Sequence, residues 1–195
     1  MEARYCQHYA RVMSEVTADF DWTPVTKMAE SLWECWESGG HLYLCGNGGS
    51  AANAVHLAND LLYGIDPEGG KGMKVEALSA NTSVLTCLAN DTSYAEIFSR
   101  QIEAKGGEGD VLLVFSGSGN SDNVVRAIES AKSIGIPTFA VLGFEGGKCL
   151  ELADTSIHFP INDMQIAEDL QMVVGHIIMK WLKKSRAETK DSGVQ

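Results

Sequence analysis

Apolar positions in the first forty residues recur every three or four places, and beyond residue 40 they gather into short runs. The first pattern predicts two helices. Tyr5, Tyr9, Val12, Met13 and Val16 share a face of the first. The second begins at Thr23, read as an N-cap with Pro24 at the first helical position. Val25, Met28, Leu32 and Trp36 line one side of it, and Gly39-Gly40 end it. A minimal α/β domain does not need a helical pair ahead of its first strand. The expected use of this pair is contact with another subunit, with Trp33 and Trp36 either in that interface or in the core.

The apolar runs at 41–45, 74–78, 111–115, 138–142 and 156–159 read as strands. Helical patterns separate them at 50–62, 83–89, 94–104 and 120–133, and a long last helix is expected from about Asp163 to Lys184. Strands apolar on both faces and spaced by helices predict a parallel sheet covered on both sides. The expected fold is therefore α/β, a three-layer α/β/α sandwich on a mainly parallel five-stranded sheet. It forms one domain over residues 1–184, with 1–40 as the helical lead-in. Residues 185–195 are polar and aperiodic and are expected to be disordered.

Charge narrows the partners. A net −11 argues against a nucleic-acid or anionic-membrane surface, since both reward clustered Lys and Arg. No apolar run approaches the roughly 20 residues of a membrane span, and residues 1–11 lack the apolar stretch of a secretory leader. The five cysteines, Cys6, Cys35, Cys45, Cys87 and Cys149, form no C-x-x-C pair and read as scattered thiols of a reducing compartment. The expected location is the cytoplasm.

Candidate chemistry lies where the strands end, which is where open α/β sheets bind ligands. Gly46-Asn47-Gly48-Gly49-Ser50 follows the first strand and opens a helix. Its glycines permit a tight turn and close approach of an anion to free N–H groups. An ordinary strand-to-helix turn is the plainer reading. Gly46, Gly48 and Ala51 also satisfy the dinucleotide pattern G-x-G-x-x-A, which needs an acidic residue ending the second strand. Glu76 lies mid-strand instead, so no nucleotide cofactor is expected. After the third strand, Ser116-Gly117-Ser118-Gly119-Asn120-Ser121 places three hydroxyls on a glycine-rich bend at a helix start. Such a bend can surround a phosphate without a cation. A serine–glycine linker turn is the plainer alternative here.

Two helical faces complete the inventory. His56 and Asp60 are four residues apart, and Glu168 and His176 are eight apart on the last helix with Met172 between them. Singly, each histidine reads as a structural residue. Together the four side chains suit either a metal site or an acid/base pair.

The sequence GNGGSAANAVHLANDL from Gly46, the stretch LANDTSYAEIFSRQIEAKGGEGDVLLVFSGSGNSDNVVRAI from Leu88, and AEDLQMVVGHII from Ala167 resemble the sugar-isomerase (SIS) domain family, and within it the phosphoheptose isomerases. The resemblance runs from the N-terminal helices to about Lys184. It implies an aldose–ketose isomerase of carbohydrate metabolism that converts sedoheptulose 7-phosphate to a heptose 7-phosphate. Substrate contacts would fall to Asn47, Gly48, Gly49 and neighbouring Ser50, to Asn90 and Asp91, and to Ser116, Gly117, Ser118 and Ser121. The family's acid/base pair, a glutamate and a histidine, maps to Asp60 and His176. The family's last-helix glutamine, a substrate and zinc contact, is replaced by Glu168, which could share the work of the base. Zinc or a similar divalent ion, where bound, would have His56, Asp60, Glu168 and His176 as ligands. A homotetramer with active sites near subunit interfaces is implied as well. A noncatalytic branch that binds the replication initiator lacks the carboxylate and the final histidine. This chain has an acid at one position and the histidine at the other, which favours an enzyme.

Overall fold

The computed structural model describes residues 2–191, and Ser192–Gln195 of the expected disordered tail lie outside the described residues. Helix α1 spans Ala3–Ala18 and α2 spans Thr23–Ser38. Thr23 is the first helical residue, not the cap: its N–H is held at 3.0 Å by the Asp21 carboxylate. Gly39 ends α2 in the left-handed conformation, at φ 75°.

Five strands follow, β1 His41–Cys45, β2 Lys74–Ala77, β3 Val111–Ser116, β4 Thr138–Leu142 and β5 Thr155–His158. All pair in parallel in the order β2-β1-β3-β4-β5. The connections are α3 Gly49–Asn59, α4 Thr82–Asp91, α5 Ser99–Lys105, α6 Asp122–Ser133 and α7 Gly147–Leu152, and α8 Met164–Asp191 closes the chain. The three-layer α/β/α sandwich stands as expected.

Alternation along the strands builds two cores. Leu42, Leu44, Leu113, Phe115 and Val141 pack under α2, α3 and α8, while Tyr43, Cys45, Leu112, Val114 and Ala140 pack under α5, α6 and α7. Trp36 is buried in the first core, with its indole N–H 2.9 Å from the Lys71 carbonyl, and Trp33 packs edge-on against Trp36 and Trp181. Both tryptophans therefore pack within the chain.

Three elements differ from the sequence reading by more than two residues. The expected 50–62 helix gives way at Asp60–Gly64 to a wider π-helical turn. The expected 94–104 helix is a 3₁₀ turn, Tyr94–Glu96, and then α5, whose first residue, Ser99, donates its hydroxyl to the Glu96 carboxylate at 2.8 Å. The last helix passes Lys184 and runs to Asp191. Arg186 and Lys190 explain the extension, since both reach buried Asp66, at 3.5 and 2.6 Å. No described helix is long and apolar enough to cross a membrane.

Candidate active site

The strand order reverses between β1 and β3: α3 leads from β1 outward to β2, and α6 leads from β3 the other way to β4. The loops after β1 and β3 diverge there and leave a crevice at the carboxyl ends of the strands. In the first loop Gly48 adopts φ 57° and ψ −121°, a backbone region open to glycine. Gly49 opens α3, and a β-carbon there would collide with the carboxylate of Glu168 from α8. Glu168 thus lies against the N-terminus of α3, where unpaired N–H groups favour an anion.

The second loop presents its hydroxyls as donors. Ser116 Oγ accepts the Gly119 N–H at 2.9 Å and Ser118 Oγ accepts the Asn120 N–H at 3.3 Å, so each hydroxyl hydrogen remains to give. Ser121 precedes α6 and makes no capping bond. With the first N–H groups of α6, these hydroxyls can hold a phosphate that stays free to exchange. Helix α7 backs this turn: the Cys149 N–H reaches the Gly119 carbonyl at 3.0 Å.

A network that the motifs do not announce joins the two loops. Asn47 and Asn123 exchange amide hydrogen bonds, both 2.8 Å, and the Tyr94 hydroxyl donates to the same Asn47 oxygen at 3.0 Å. The Asn47 oxygen is thereby saturated, and one amide hydrogen is left to face a ligand. Asn53 donates to the Glu168 carbonyl and to the Gln171 side chain, both at 2.9 Å, and Gln171 donates to Ser50 Oγ at 3.0 Å. Asn123, Asn53 and Gln171 were missed in the motifs, but they carry a readable signal. Asn123 and Gln171 are buried polar residues beside apolar ones, where the helical pattern calls for apolar side chains. Asn90 and Asp91 lie exposed at the end of α4, bonded to each other at 2.8 Å and to neither loop. The Asn90 amide, then the Cys87 thiol, holds the Asp91 carboxyl below its ordinary range. Asp91 is therefore a charged acceptor, three residues before the Tyr94 that reaches Asn47.

His56, Asp60 and His176 come together. His56 Nε2 and His176 Nε2 lie 3.4 and 3.5 Å from Asp60 Oδ2, and 3.4 Å from one another. For bonds of about 2.0–2.1 Å, the edge of a tetrahedral metal site is about 3.4 Å. The three atoms thus match one face of such a tetrahedron and leave the fourth position to a ligand. Two imidazole nitrogens and a carboxylate oxygen are a donor set suited to a divalent ion. Glu168 is not in this group. It is two turns back along α8, about 12 Å by helical rise, against Gly49. The four-ligand set expected from the sequence is corrected to three.

Comparison with known proteins places this geometry. The sequence matches the SIS domain family over residues 4–143. It is 40% identical over 153 residues to the phosphoheptose isomerase of Helicobacter pylori strain Shi470, covering 78% of this chain and 79% of that protein. Against the phosphoheptose isomerase of Clostridium acetobutylicum it is 39% identical over 162 residues, covering 82% and 81%. The structure of phosphoheptose isomerase from Neisseria gonorrhoeae superposes with a TM-score of 0.83 at 30% identity, over 93% of this chain and 97% of that one. The chain belongs to the SIS domain family and, within it, to the phosphoheptose isomerases.

Proposed function

We propose that this isomerase converts sedoheptulose 7-phosphate to a heptose 7-phosphate through an enediol. The observation that carries the reading is a phosphate-suited serine loop tied to the start of α3, with a carboxylate–histidine group where the far end of that helix meets α8. The Asn47–Asn123 pair ties the loop of Ser116, Ser118 and Ser121 to the start of α3, and α3 leads on to Asp60 beside His176. Holding the distant phosphate orients the sugar, so that remote binding lowers the barrier at carbons one and two. One group removes the proton next to the carbonyl and another returns it to the neighbouring carbon. Asp60 is the proposed base and His176 its partner in proton handling. Glu168, closer to the loop, is placed to bind the sugar or share the base role. Asn47 gives its one free amide hydrogen to a substrate oxygen, with Gly48, Gly49 and Ser50 shaping the turn and Asn90 and Asp91 accepting from sugar hydroxyls.

A zinc or similar divalent ion held by His56, Asp60 and His176 would polarise a carbonyl or hydroxyl oxygen of the substrate. A cytoplasmic homotetramer, with each active site near a subunit boundary, completes the proposal. It is supported by the exposed histidines and by the apolar residues Val55 and Ile177 beside them.

The test is a coupled assay with sedoheptulose 7-phosphate. Asp60→Asn and His176→Ala should each lower kcat by about 10²–10⁴-fold, as loss of a general acid or base does. An active Asp60→Asn enzyme beside a dead Glu168→Gln enzyme would move the base to Glu168. Elemental analysis should find up to one divalent ion per chain, lost with His56→Ala. Chelator-treated protein that is metal-free and fully active would leave the three residues an acid/base group alone.

A further inference from the structure

The end of the sheet opposite the two loops carries a cleft of its own, about 800 Å³ in volume. It lies where β1 and β2 begin, between the last turn of α2 and the last turns of α8. A volume of this size falls in the range of small-molecule sites. Four cations line it, Lys71, Lys74, Arg186 and Lys190, with Trp36 and Glu37. The chain has only 15 basic residues and a net charge of −11, so four on one concave surface reverse the sign of the molecule there.

Their partners separate the structural charges from the unspent ones. Arg186 reaches Glu37 at 2.8 Å and Asp66 at 3.5 Å, and Lys190 reaches Asp66 at 2.6 Å. Two cations are thus balanced by two carboxylates. Lys74 is not balanced: its ammonium donates to the neutral Gly39 carbonyl at 2.8 Å, which fixes its position and leaves its charge. Lys71 has no side-chain partner among the described residues. Its backbone carbonyl is held by the Trp36 indole. Arg186 is itself oriented, with its guanidinium 5.2 Å from the centre of the Trp36 ring. The cleft therefore offers two uncompensated ammonium groups beside a fixed guanidinium, on a frame of paired side chains.

We propose that this cleft is a second anion site, which takes a small molecule carrying a phosphate monoester or pyrophosphate group, apart from the isomerase site. The chemistry differs from that of the serine loop. There hydroxyls and backbone N–H groups do the binding, whereas here charge does it, so binding must weaken with salt.

The probe is inorganic pyrophosphate, titrated calorimetrically into the full chain carrying Ser116→Ala and Ser118→Ala, which removes the competing loop. One site per chain is expected at low salt, with affinity falling at least tenfold when Lys71→Ala and Lys74→Ala are added. Lys71→Glu alone, at an exposed residue with no side-chain partner to lose, should also weaken binding tenfold and leave kcat unchanged in a chain with an intact loop. Absence of binding in the loop variant overturns the proposal. So does affinity that is unmoved by the lysine changes, since that places pyrophosphate outside the cleft.

Discussion

Asp60 reaches both imidazoles, with Oδ2 3.4 and 3.5 Å from their Nε2 atoms. The wider turn that begins at this residue, at the end of α3, is the kind of helical irregularity that recurs at functional sites. At Gly49 the constraint is steric. Gly49→Ala puts a methyl group into the Glu168 carboxylate, so either α8 shifts or the carboxylate swings away. The expected result is a loss of kcat/KM of at least tenfold with the fold retained, read by steady-state kinetics beside a melting curve. Full activity would mean that the position of Glu168 does not matter to the reaction. At Ser116 the two effects separate by readout. Ser116→Ala removes the acceptor of the Gly119 N–H in a buried turn, which costs about 1–3 kcal/mol of stability. It also removes a phosphate donor, and so should raise KM for the sugar phosphate. A variant that loses stability and keeps its KM would assign Ser116 to the turn alone.

Secondary elements were legible where one period dominated. β1 and β4 run over the residues expected for them, because both are short apolar runs between polar turns. The helix α7 went unread, since six residues give too few turns for a periodic signal. The two residue pairs were legible as helical spacings, but their meeting was not: it depends on how α3 crosses α8, which no local pattern encodes. Glu168 fell out of the metal group for that reason. The far end of α8 was misread as a polar tail because its partners, Asp66 and Glu37, are more than a hundred residues away in the chain. Burial raises the Asp66 pKa, but the Lys190 ammonium, the Gly69 N–H and the Arg186 guanidinium outweigh it and leave the carboxyl below its ordinary value. A depressed pKa means the pairing stabilises fully above the unfolded value of about 4 and is lost as pH falls below it. Asp66→Ala should therefore cost about 2 kcal/mol at pH 7, less than a fully buried pair because Lys190 is 45% exposed. Chemical denaturation at pH 7 and pH 3 checks this, and the difference between variant and parent should shrink at the lower pH. A difference that grows on acidification would contradict the sign.

No residue of α1 is buried, although Tyr9, Val12, Met13 and Val16 rest against the core. Tyr9 is tied to α8 by a 2.6 Å bond to Asp169, and that bond pushes its hydroxyl pKa up to about 12, so the tie persists across the physiological range. Across the molecule, Tyr5, Leu62 and Tyr63 are each more than half exposed, and Val55, Ile177 and Trp181 are only somewhat less so. Val55 adjoins His56 in the chain and Ile177 adjoins His176, so a subunit laid over these apolar residues would also cover the histidines. Covering them would exclude water from the group that handles the proton, which strengthens every charge interaction there. Assembly and activity should therefore rise and fall together. Light scattering on the purified chain at micromolar concentration should give four times the chain mass. Leu62→Asp with Tyr63→Asp, both at exposed positions that the monomer fold does not need, should lower that mass and cut kcat in parallel, with the secondary structure unchanged by circular dichroism. A monomeric mass for the parent chain, or a dissociated variant with full kcat, would show that each chain works alone.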